Sequence, residues 1–187
     1  MTLSHEPSLS HQAQDIDRVV LVDADDRPIG TMEKLDAHRH GFRHRAFSIF
    51  VCDEAGRFLL QQRALGKYHS GGLWTNTCCS HPRPNEPVEE AARRRIAEEM
   101  GFSCDLTHMF LADYNEPVSS GLIENEVVHV FGGRFDGVPQ PDPNEVMAWT
   151  WRAPEVIEQE IQAHPENYTV WFGIYWHRFW QAFAQQR

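Results

Sequence analysis

The sequence has no long apolar run and no excess of basic residues. No stretch of 18 or more apolar residues occurs, and residues 1–14 lack the basic start and apolar stretch of a signal peptide. Lys and Arg number 17 against 27 Asp and Glu, so the formal net charge is −10. This acidic balance argues against nonspecific binding to nucleic acid or to an anionic membrane. We therefore expect a cytosolic, monomeric protein whose partner is a small molecule.

Cysteine is also scarce, with four residues at positions 52, 78, 79 and 104. Adjacent cysteines do not have the geometry of an ordinary disulfide. A chain of 187 residues can bury a hydrophobic core that is stable without disulfides. No second C-x-x-C or Cys/His pair accompanies Cys78, Cys79 and His81, which makes a structural zinc site there the weaker alternative. The cysteines are therefore expected to be free thiols.

The length and the order of the elements predict one α/β domain. A chain of 187 residues fits one domain, with residues 1–17 as a flexible polar arm and 18–187 as the domain itself. Apolar patterning predicts strands at 18–23, 46–51, 57–62, 106–114, 123–135 and 145–151, and an amphipathic helix at 168–184. Pro87 in a first turn and Gly101 as a C′ residue predict a helix at 87–100, and the segment 154–163 reads as a further short helix. The turn at Asp53–Gly56 predicts a hairpin between the second and third strands. Strands and helices mixed in this order favour an α/β sandwich around a mixed sheet.

Two adjacent carboxylates, Glu98 and Glu99, fall in the last turn of the helix predicted at 87–100. They lie at the negative end of the helix dipole and therefore need positive charge nearby. The structural explanation is a set of i, i+4 ion pairs with Arg94 and Arg95 on a wet surface. The functional explanation is that one carboxylate holds Mg²⁺, whose remaining ligands are water and phosphate oxygens. The spacing is compatible with both.

A second pair of carboxylates, Glu124 and Glu126, lies in the strand predicted at 123–135. Side chains at i and i+2 of a strand point to one face, and Val128 and Val130 continue that face and favour its burial. Two buried carboxylates are costly unless a cation neutralises them, so we interpret the pair as metal ligands and not as a solvated strand face.

Three histidines are candidate partners for those carboxylates. His38 and His44 lie in a segment that reads as a loop, and His81 stands two residues after Cys79. Taken alone, His38 and His44 read as solvated loop histidines. If the loop curls back, three imidazoles and two carboxylates form a site suited to Mn²⁺, Zn²⁺ or Mg²⁺, and the pattern does not choose among these ions.

The segment from Ser80 to Phe102 resembles the Nudix box, whose pattern is Gly-x5-Glu-x7-Arg-Glu-aliphatic-x-Glu-Glu-x-Gly-aliphatic. Here it reads Ser80-x5-Glu86-x7-Arg94-Arg95-Ile96-Ala97-Glu98-Glu99-Met100-Gly101-Phe102. Ser80 replaces the first glycine, and Arg95 replaces the glutamate that follows the arginine. The missing carboxylate weakens the case for diphosphate hydrolysis, because the hydrolases of this superfamily use such glutamates to gather metal around the scissile phosphates. An arginine at this position is expected to grip a diphosphate instead.

Further motifs between roughly Val19 and Trp180 resemble the type I isopentenyl diphosphate isomerases. These motifs are Glu33-Lys34, Ala37-His38, His44-Arg45-Ala46-Phe47-Ser48, Arg63-Ala64-Leu65-x-Lys67, Trp74-Thr75-Asn76-Thr77-Cys78-Cys79-Ser80-His81-Pro82 and Gly121-Leu122-Ile123-Glu124-Asn125-Glu126-Val127. The resemblance implies a Nudix-like α/β/α sandwich around a mixed β-sheet. It also implies an enzyme that interconverts isopentenyl and dimethylallyl diphosphate, the five-carbon building blocks of isoprenoids.

By this resemblance, the thiol of the family's Asn-x-x-Cys-x-His motif falls on Cys79, counted from Asn76. The glutamate of proton transfer falls on Glu126, and Tyr114 matches a pocket tyrosine beside it. Moving an unactivated double bond takes protonation at C4 and deprotonation at C2 through a tertiary carbocation at C3. An acid and a base are therefore needed on the two faces of the substrate. The resemblance leaves open whether Cys79 or Glu126 donates first.

The resemblance also implies two metal sites and a substrate pocket. The first site takes Mn²⁺, Zn²⁺ or Mg²⁺ and is formed by His38, His44, His81, Glu124 and Glu126. At the second site, Glu99 holds Mg²⁺ against the diphosphate. The side chains expected to bind the diphosphate are Lys34, Arg63, Lys67, Ser80 and Arg95. Trp171 is expected to face the hydrocarbon, where its π face stabilises the carbocation.

Two other classes of function stay open. A Nudix hydrolase acting on a nucleoside diphosphate derivative has the same fold and Mg²⁺ site, but it does not require Cys79 and usually keeps the carboxylate that Arg95 replaces. A non-catalytic metal-binding module is favoured only if the loss of Cys79 costs the metal and the fold, and not turnover alone.

Overall fold

The described part of the chain, residues 17–185 of a computed structural model, contains nine strands, four α-helices and two single-turn 3-10 helices (Ser119–Gly121 and Pro165–Asn167). The strands are β1 (Arg18–Val22), β2 (Pro28–Glu33), β3 (His44–Cys52), β4 (Phe58–Arg63), β5 (Trp74–Thr75), β6 (Cys78–Ser80), β7 (Leu106–Pro117), β8 (Ile123–Arg134) and β9 (Val146–Arg152). The helices are α1 (Lys34–His40), α2 (Val88–Met100), α3 (Pro154–Ala163) and α4 (Val170–Ala184). The predicted N-terminal arm, apart from Asp17, lies outside the described residues.

The centre of the sheet is a parallel pair, β3 and β8, in register from His44 opposite Glu126 to Cys52 opposite Arg134. Strand β3 is apolar on both faces along most of its length, which is typical of a strand covered on both sides. Strand β8 pairs antiparallel with β7 on its other edge. The sheet is therefore mixed, as the sequence predicts.

The hairpin predicted at Asp53–Gly56 is only partly correct. The turn forms, since the Asp53 N–H donates to the Arg57 carbonyl and the Gly56 N–H to the Asp53 carbonyl. Strands β3 and β4, however, pair only at Cys52 and Phe58 and then diverge. Beyond the turn β3 pairs with β1, β6 and β8, whereas β4 pairs with β5 and β9. Strands β3 and β4 therefore form most of their pairings with other strands and not with each other.

Helices cover both faces of the sheet, which confirms the predicted α/β/α sandwich. Along β3, side chains alternate between the faces, so neighbouring residues enter different cores. Phe47 and Ile49 pack in one core with Ile96 and Met100 of α2. On the other face the core residues include Ala46, Phe50, Phe172, Trp176 and Phe179, the last three from α4. None of the helices among residues 17–185 is long and apolar enough to cross a membrane.

The segment that reads as a loop around His38 is a short helix, so that prediction is wrong. Helix α1 begins after Glu33, whose carboxylate accepts a 2.9 Å hydrogen bond from the Asp36 N–H, and ends at Gly41 in a left-handed conformation (φ 64°). His38 lies on this helix, and His44 is the first residue of β3. The sequence shows no helix here because a seven-residue element rich in His and Arg carries too few apolar positions to display a period.

Candidate active site

Five potential metal ligands converge at one end of the β3–β8 pair. His38 comes from α1, His44 from the start of β3, His81 from the residue after β6, and Glu124 and Glu126 from β8. Their ligand atoms all lie within 4.8 Å of one another. The parallel register brings His44 beside Glu126, and the strand alternation turns both carboxylates to the same buried face, as their spacing predicts.

The backbone orients two of the imidazoles toward the carboxylates. The Nδ1–H of His38 donates to the Lys34 carbonyl at 2.6 Å, and that of His44 donates to the Phe42 carbonyl at 2.8 Å. With Nδ1 engaged in this way, a neutral ring presents the lone pair of Nε2, which is the form that binds a metal. The two rings are therefore held in the tautomer of a ligand.

The charges in the cluster also fit a cation. Burial raises the pKa of Glu126, but the adjacent imidazoles of His44 and His81 outweigh it and hold that pKa well below its usual range. Burial lowers the pKa of His81 to about 4, so this imidazole is neutral at physiological pH. Anionic carboxylates and neutral imidazoles are the protonation states that metal binding requires.

Two atoms of the cluster have unmet bonding capacity. His38 Nε2 and Glu124 Oε2 are buried 3.3 Å apart, and neither has a hydrogen-bond partner within the described chain. Buried polar atoms are rarely left unpaired without a functional reason. These residues therefore fit a divalent ion, which would take a ligand from each of them.

A small cavity lies next to this cluster. Its volume is about 30 Å³, and Cys79, Tyr114, Glu126 and Trp171 all line it. Tyr114 and Glu126 are direct partners across the β7–β8 pair, and the Tyr114 hydroxyl donates a 2.6 Å hydrogen bond to Glu126 Oε2. Trp171 on α4 is 3% exposed, and its indole N–H donates to Thr75 Oγ1. We refer to this space as the inner cavity.

The thiol of Cys79 has polar partners on its buried side. It donates a 3.0 Å hydrogen bond to Asn76 Oδ1 and lies 3.3 Å from Ser48 Oγ, which in turn bonds to the Tyr175 hydroxyl. Burial raises the pKa of Cys79, so the group is a protonated thiol at neutral pH. Cys78 points to the opposite face of the sheet and packs in the α2 core. Of the two adjacent cysteines, Cys79 is the one that lines the inner cavity.

A larger, basic cavity opens beside the inner one. It has a volume of about 250 Å³ and includes every side chain that the resemblance assigns to diphosphate binding, namely Lys34, Arg63, Lys67, Ser80 and Arg95. We refer to it as the outer cavity. Arg63, Cys79, Ser80 and His81 line both spaces, which makes the two cavities neighbours. A locally basic pocket thus exists within a chain of net charge −10.

Two arginines of the outer cavity have unpaired hydrogen-bond donors. Arg63 Nε and Arg95 Nε are buried, and no described residue accepts a hydrogen bond from them. The Arg63 guanidinium lies over the Trp171 ring, 5.3 Å from its centroid, at the boundary between the two cavities. Unpaired guanidinium donors in a concave site suit a multivalent anion.

The two carboxylates at the end of α2 differ in their surroundings. Glu98 is exposed and bonds to Arg94 and Arg95, which is the wet-surface pairing that the sequence permits. Glu99 is 3% exposed, pairs with Arg95 at 2.5 Å and lines the outer cavity. Of the two carboxylates, Glu99 alone lines the outer cavity.

Sequence reasoning missed two residues of the site. Glu145, just before β9, accepts hydrogen bonds from Arg95 (3.0 Å) and Lys67 and so holds both cations at the outer cavity. His69, between β4 and β5, is buried beside Glu124. Each lies 50 or more positions from the residue it contacts, so no local pattern signals it.

The fold and the site define a Nudix-domain protein, and the NUDIX domain family matches residues 42–172. A solved structure from Deinococcus radiodurans, DR0079, superposes with a TM-score of 0.66 at 20% identity, covering 79% of this chain and 90% of that one. The MutT protein of Methanosarcina mazei superposes with a TM-score of 0.61 at 19% identity, covering 74% of this chain and 94% of that one. At such identities the likeness shows the fold alone.

Curated relatives identify the family within the Nudix-domain proteins to which the chain belongs. The isopentenyl-diphosphate Delta-isomerase of Burkholderia multivorans is 55% identical over 156 residues, 83% of this chain and 89% of the relative. The enzyme of the same name from Pectobacterium atrosepticum is 47% identical over 172 residues, 90% of this chain and 96% of the relative. This chain belongs to the isopentenyl-diphosphate Delta-isomerase family, as the motifs predict.

Proposed function

We propose that this protein interconverts isopentenyl diphosphate and dimethylallyl diphosphate, and that its reacting groups are Cys79 and Glu126. The observation that carries the proposal is that both residues line the inner cavity, which adjoins a basic pocket. A thiol and a carboxylate on one cavity provide the two groups that exchange protons with C4 and C2 of the substrate. The product serves isoprenoid synthesis.

Tyr114 keeps Glu126 in place during this exchange. Its hydroxyl donates to Glu126 Oε2, so the carboxylate cannot turn away from the cavity without losing a charged hydrogen bond. A divalent ion, Mn²⁺, Zn²⁺ or Mg²⁺, bound by His38, His44, His81, Glu124 and Glu126 would supply positive charge that favours the ionised form of the glutamate.

The hydrocarbon end of the pocket is set by Trp171. Its indole borders the inner cavity and is fixed there by the hydrogen bond to Thr75. An electron-rich ring beside C3 stabilises a developing carbocation without reacting with it, and substrate that fills the cavity keeps out water that would trap the cation as an alcohol. The volume of about 30 Å³ holds about two water molecules, so the lining side chains shift when a five-carbon chain enters.

The diphosphate occupies the outer cavity in this proposal. Lys34, Arg63, Lys67 and Arg95 provide the positive charge, and Ser80 provides a hydroxyl at the junction with the inner cavity. Glu99 would hold a Mg²⁺ ion there, which would supply positive charge beside the diphosphate. Binding energy from this remote group holds the reacting carbons between Cys79 and Glu126.

The geometry gives less support to hydrolysis of a nucleoside diphosphate derivative. Of the carboxylates at the end of α2, Glu98 is tied to Arg94 and Arg95 on the surface, and Glu99 alone lines the outer cavity. Arg95 fills the position where the hydrolase pattern has another glutamate. The set of carboxylates that would gather metal around a scissile phosphate is therefore incomplete.

The experiment that tests the proposal offers both kinds of substrate to one preparation. Purified protein is incubated with Mg²⁺ and Mn²⁺ and with either isopentenyl diphosphate or a panel of nucleoside diphosphate derivatives. We expect dimethylallyl diphosphate by NMR and no phosphate release from the panel. Phosphate release without isomerisation would establish the hydrolase, and the absence of both would leave the non-catalytic metal-binding module.

The domain limits, localisation and oligomeric state stay predictions of the sequence. We propose that residues 18–187 form one isomerase domain that acts as a cytosolic monomer. Light scattering on the purified protein measures the mass in solution, for which the chain mass of 21.6 kDa is the expected result. A mass twice that value would show a dimer.

A further inference from the structure

A fourth histidine, His69, lies against the metal-ligand cluster without being one of the five donors. It is 3% exposed, and its Nε2 lies 2.7 Å from Glu124 Oε1. The other oxygen of the same carboxylate, Oε2, lies 3.3 Å from His38 Nε2. Glu124 is therefore placed between two imidazoles, one at each oxygen.

The surroundings of His69 fix its ring. Its Nδ1 lies 3.1 Å from Ser70 Oγ, and Ser70, in a left-handed conformation (φ 52°), is anchored by its N–H to Ser119 Oγ at 2.8 Å. The ring meets Trp171 and Tyr68 edge to face, with centroids 5.6 and 4.3 Å apart. When the Ser70 hydroxyl donates to Nδ1, the proton of a neutral ring is on Nε2 and faces Glu124.

His69 and Glu124 also show an incomplete contact. Nε2 and Oε1 are 2.7 Å apart, which is within hydrogen-bond reach, but the ring N–H is not aligned with the oxygen; a small rotation of the ring or of the carboxylate completes the bond. His69 is outside the set of five ligand atoms that lie within 4.8 Å of one another. A residue that binds the metal directly would belong to that set. A residue that contacts only the far oxygen of a ligating carboxylate would not.

We propose that His69 is a positioning residue for the metal centre, holding Oε1 of Glu124 so that Oε2 faces the ion. The inference rests on the proposed metal site but not on the isomerase reaction. A carboxylate held at one oxygen loses the freedom to rotate, so less entropy is lost when the other oxygen binds a metal. Partners of this kind typically change metal affinity by about 10–100-fold when removed.

The test measures Mn²⁺ binding to the full-length protein without substrate. Free Mn²⁺ is followed by electron paramagnetic resonance during titration of protein freed of metal by dialysis against a chelator. His69→Phe keeps the ring volume and loses the N–H, and His69→Gln restores a donor. The matched control is His129→Phe, because His129 pairs with Asp26 at 2.9 Å and lines neither cavity.

We expect His69→Phe to weaken Mn²⁺ binding about 10–100-fold, His69→Gln to recover most of that loss, and His129→Phe to bind as the parent protein does. Unchanged binding in His69→Phe would overturn the proposal, and so would equal weakening in the Phe and Gln variants. Should His69→Phe fail to fold by circular dichroism, Ser70→Ala replaces it, because it frees the ring while keeping the histidine.

Ser70→Ala is expected to weaken binding in the same direction by a smaller factor, and unchanged binding would then overturn the proposal. Isomerase activity is measured separately on the metal-loaded parent. An inactive parent that binds Mn²⁺ and loses affinity in His69→Phe would refute the proposed function and leave the role of His69 intact.

Discussion

Tyr114 and Glu126 face each other across the antiparallel β7–β8 pair, and the tyrosine hydroxyl donates to Glu126 Oε2 at 2.6 Å. Both side chains are at least 90% buried, with exposures of 7% and 6%. Burial raises the pKa of Tyr114 well above its usual value, and the nearby charge of Glu126 adds to the effect. The phenol therefore stays protonated, as a permanent donor to the carboxylate.

Removal of this donor should slow turnover without weakening substrate binding. A hydrogen bond to a charged group contributes about 1.5–3 kcal/mol, so we expect Tyr114→Phe to lower kcat about 10–100-fold with little change in KM. The control is Tyr168→Phe, which removes a 2.5 Å hydrogen bond to Glu160 away from both cavities. Steady-state kinetics of both variants measure the difference, and a wild-type kcat in Tyr114→Phe would contradict the role.

Loss of the Cys79 thiol should abolish isomerisation while the fold survives. The side chain is small and lines a cavity, so Cys79→Ala removes one polar atom and little packing. We expect turnover below detection and a melting temperature close to that of the parent. Cys104 is a free cysteine that lines neither cavity, so Cys104→Ala is the matched control and should keep full activity. Near-normal turnover in Cys79→Ala would remove the thiol from the mechanism.

The accessibility of the same thiol can be tested chemically. Burial raises the pKa of Cys79, and the thiolate is the reactive form, so iodoacetamide should inactivate the enzyme slowly at pH 7 and faster as the pH rises. Bound substrate should slow the alkylation of Cys79, because it fills the cavity next to the sulfur. Peptide mass mapping identifies the modified cysteine, and inactivation at an unchanged rate in the presence of substrate would count against the location of the pocket.

Arg95 should contribute to substrate binding more than to the chemical step. It borders the outer cavity with an unpaired Nε, so we expect Arg95→Gln to raise KM for isopentenyl diphosphate about tenfold or more. Arg93→Gln makes the same change at an exposed position of the same helix and serves as the control. Equal KM values in the two variants would exclude Arg95 from the diphosphate site.

Metal removal should destabilise the protein even without substrate. Glu124 and Glu126 are buried together, and their mutual repulsion is offset by the histidines and, in this account, by a cation. A ligand at about 100 times its Kd stabilises a fold by about 2.7 kcal/mol, so a chelator should lower the melting temperature by several degrees. Differential scanning calorimetry measures the change and its reversal by Mn²⁺, Zn²⁺ or Mg²⁺. An unchanged melting temperature would argue against a resident ion.

How much the sequence predicts depends on the range of the interactions. Helix α2 follows from Pro87 and Gly101 at its ends, strand β8 from its apolar pattern, and the shared face of Glu124 and Glu126 from strand alternation. The pairing of β3 with β8, which places His44 beside Glu126, joins residues 82 positions apart, and no local pattern encodes it. His69 and Glu145 were missed for the same reason. Their roles arise from contacts that exist only after the sheet has formed.

The most direct test of the account is isomerisation in heavy water. If Cys79 and Glu126 exchange protons with the substrate, dimethylallyl diphosphate formed in D₂O carries deuterium in a methyl group, and recovered isopentenyl diphosphate carries it at C2. Mass spectrometry with NMR locates the label in both compounds. Conversion without any incorporated deuterium would contradict proton transfer by these two side chains.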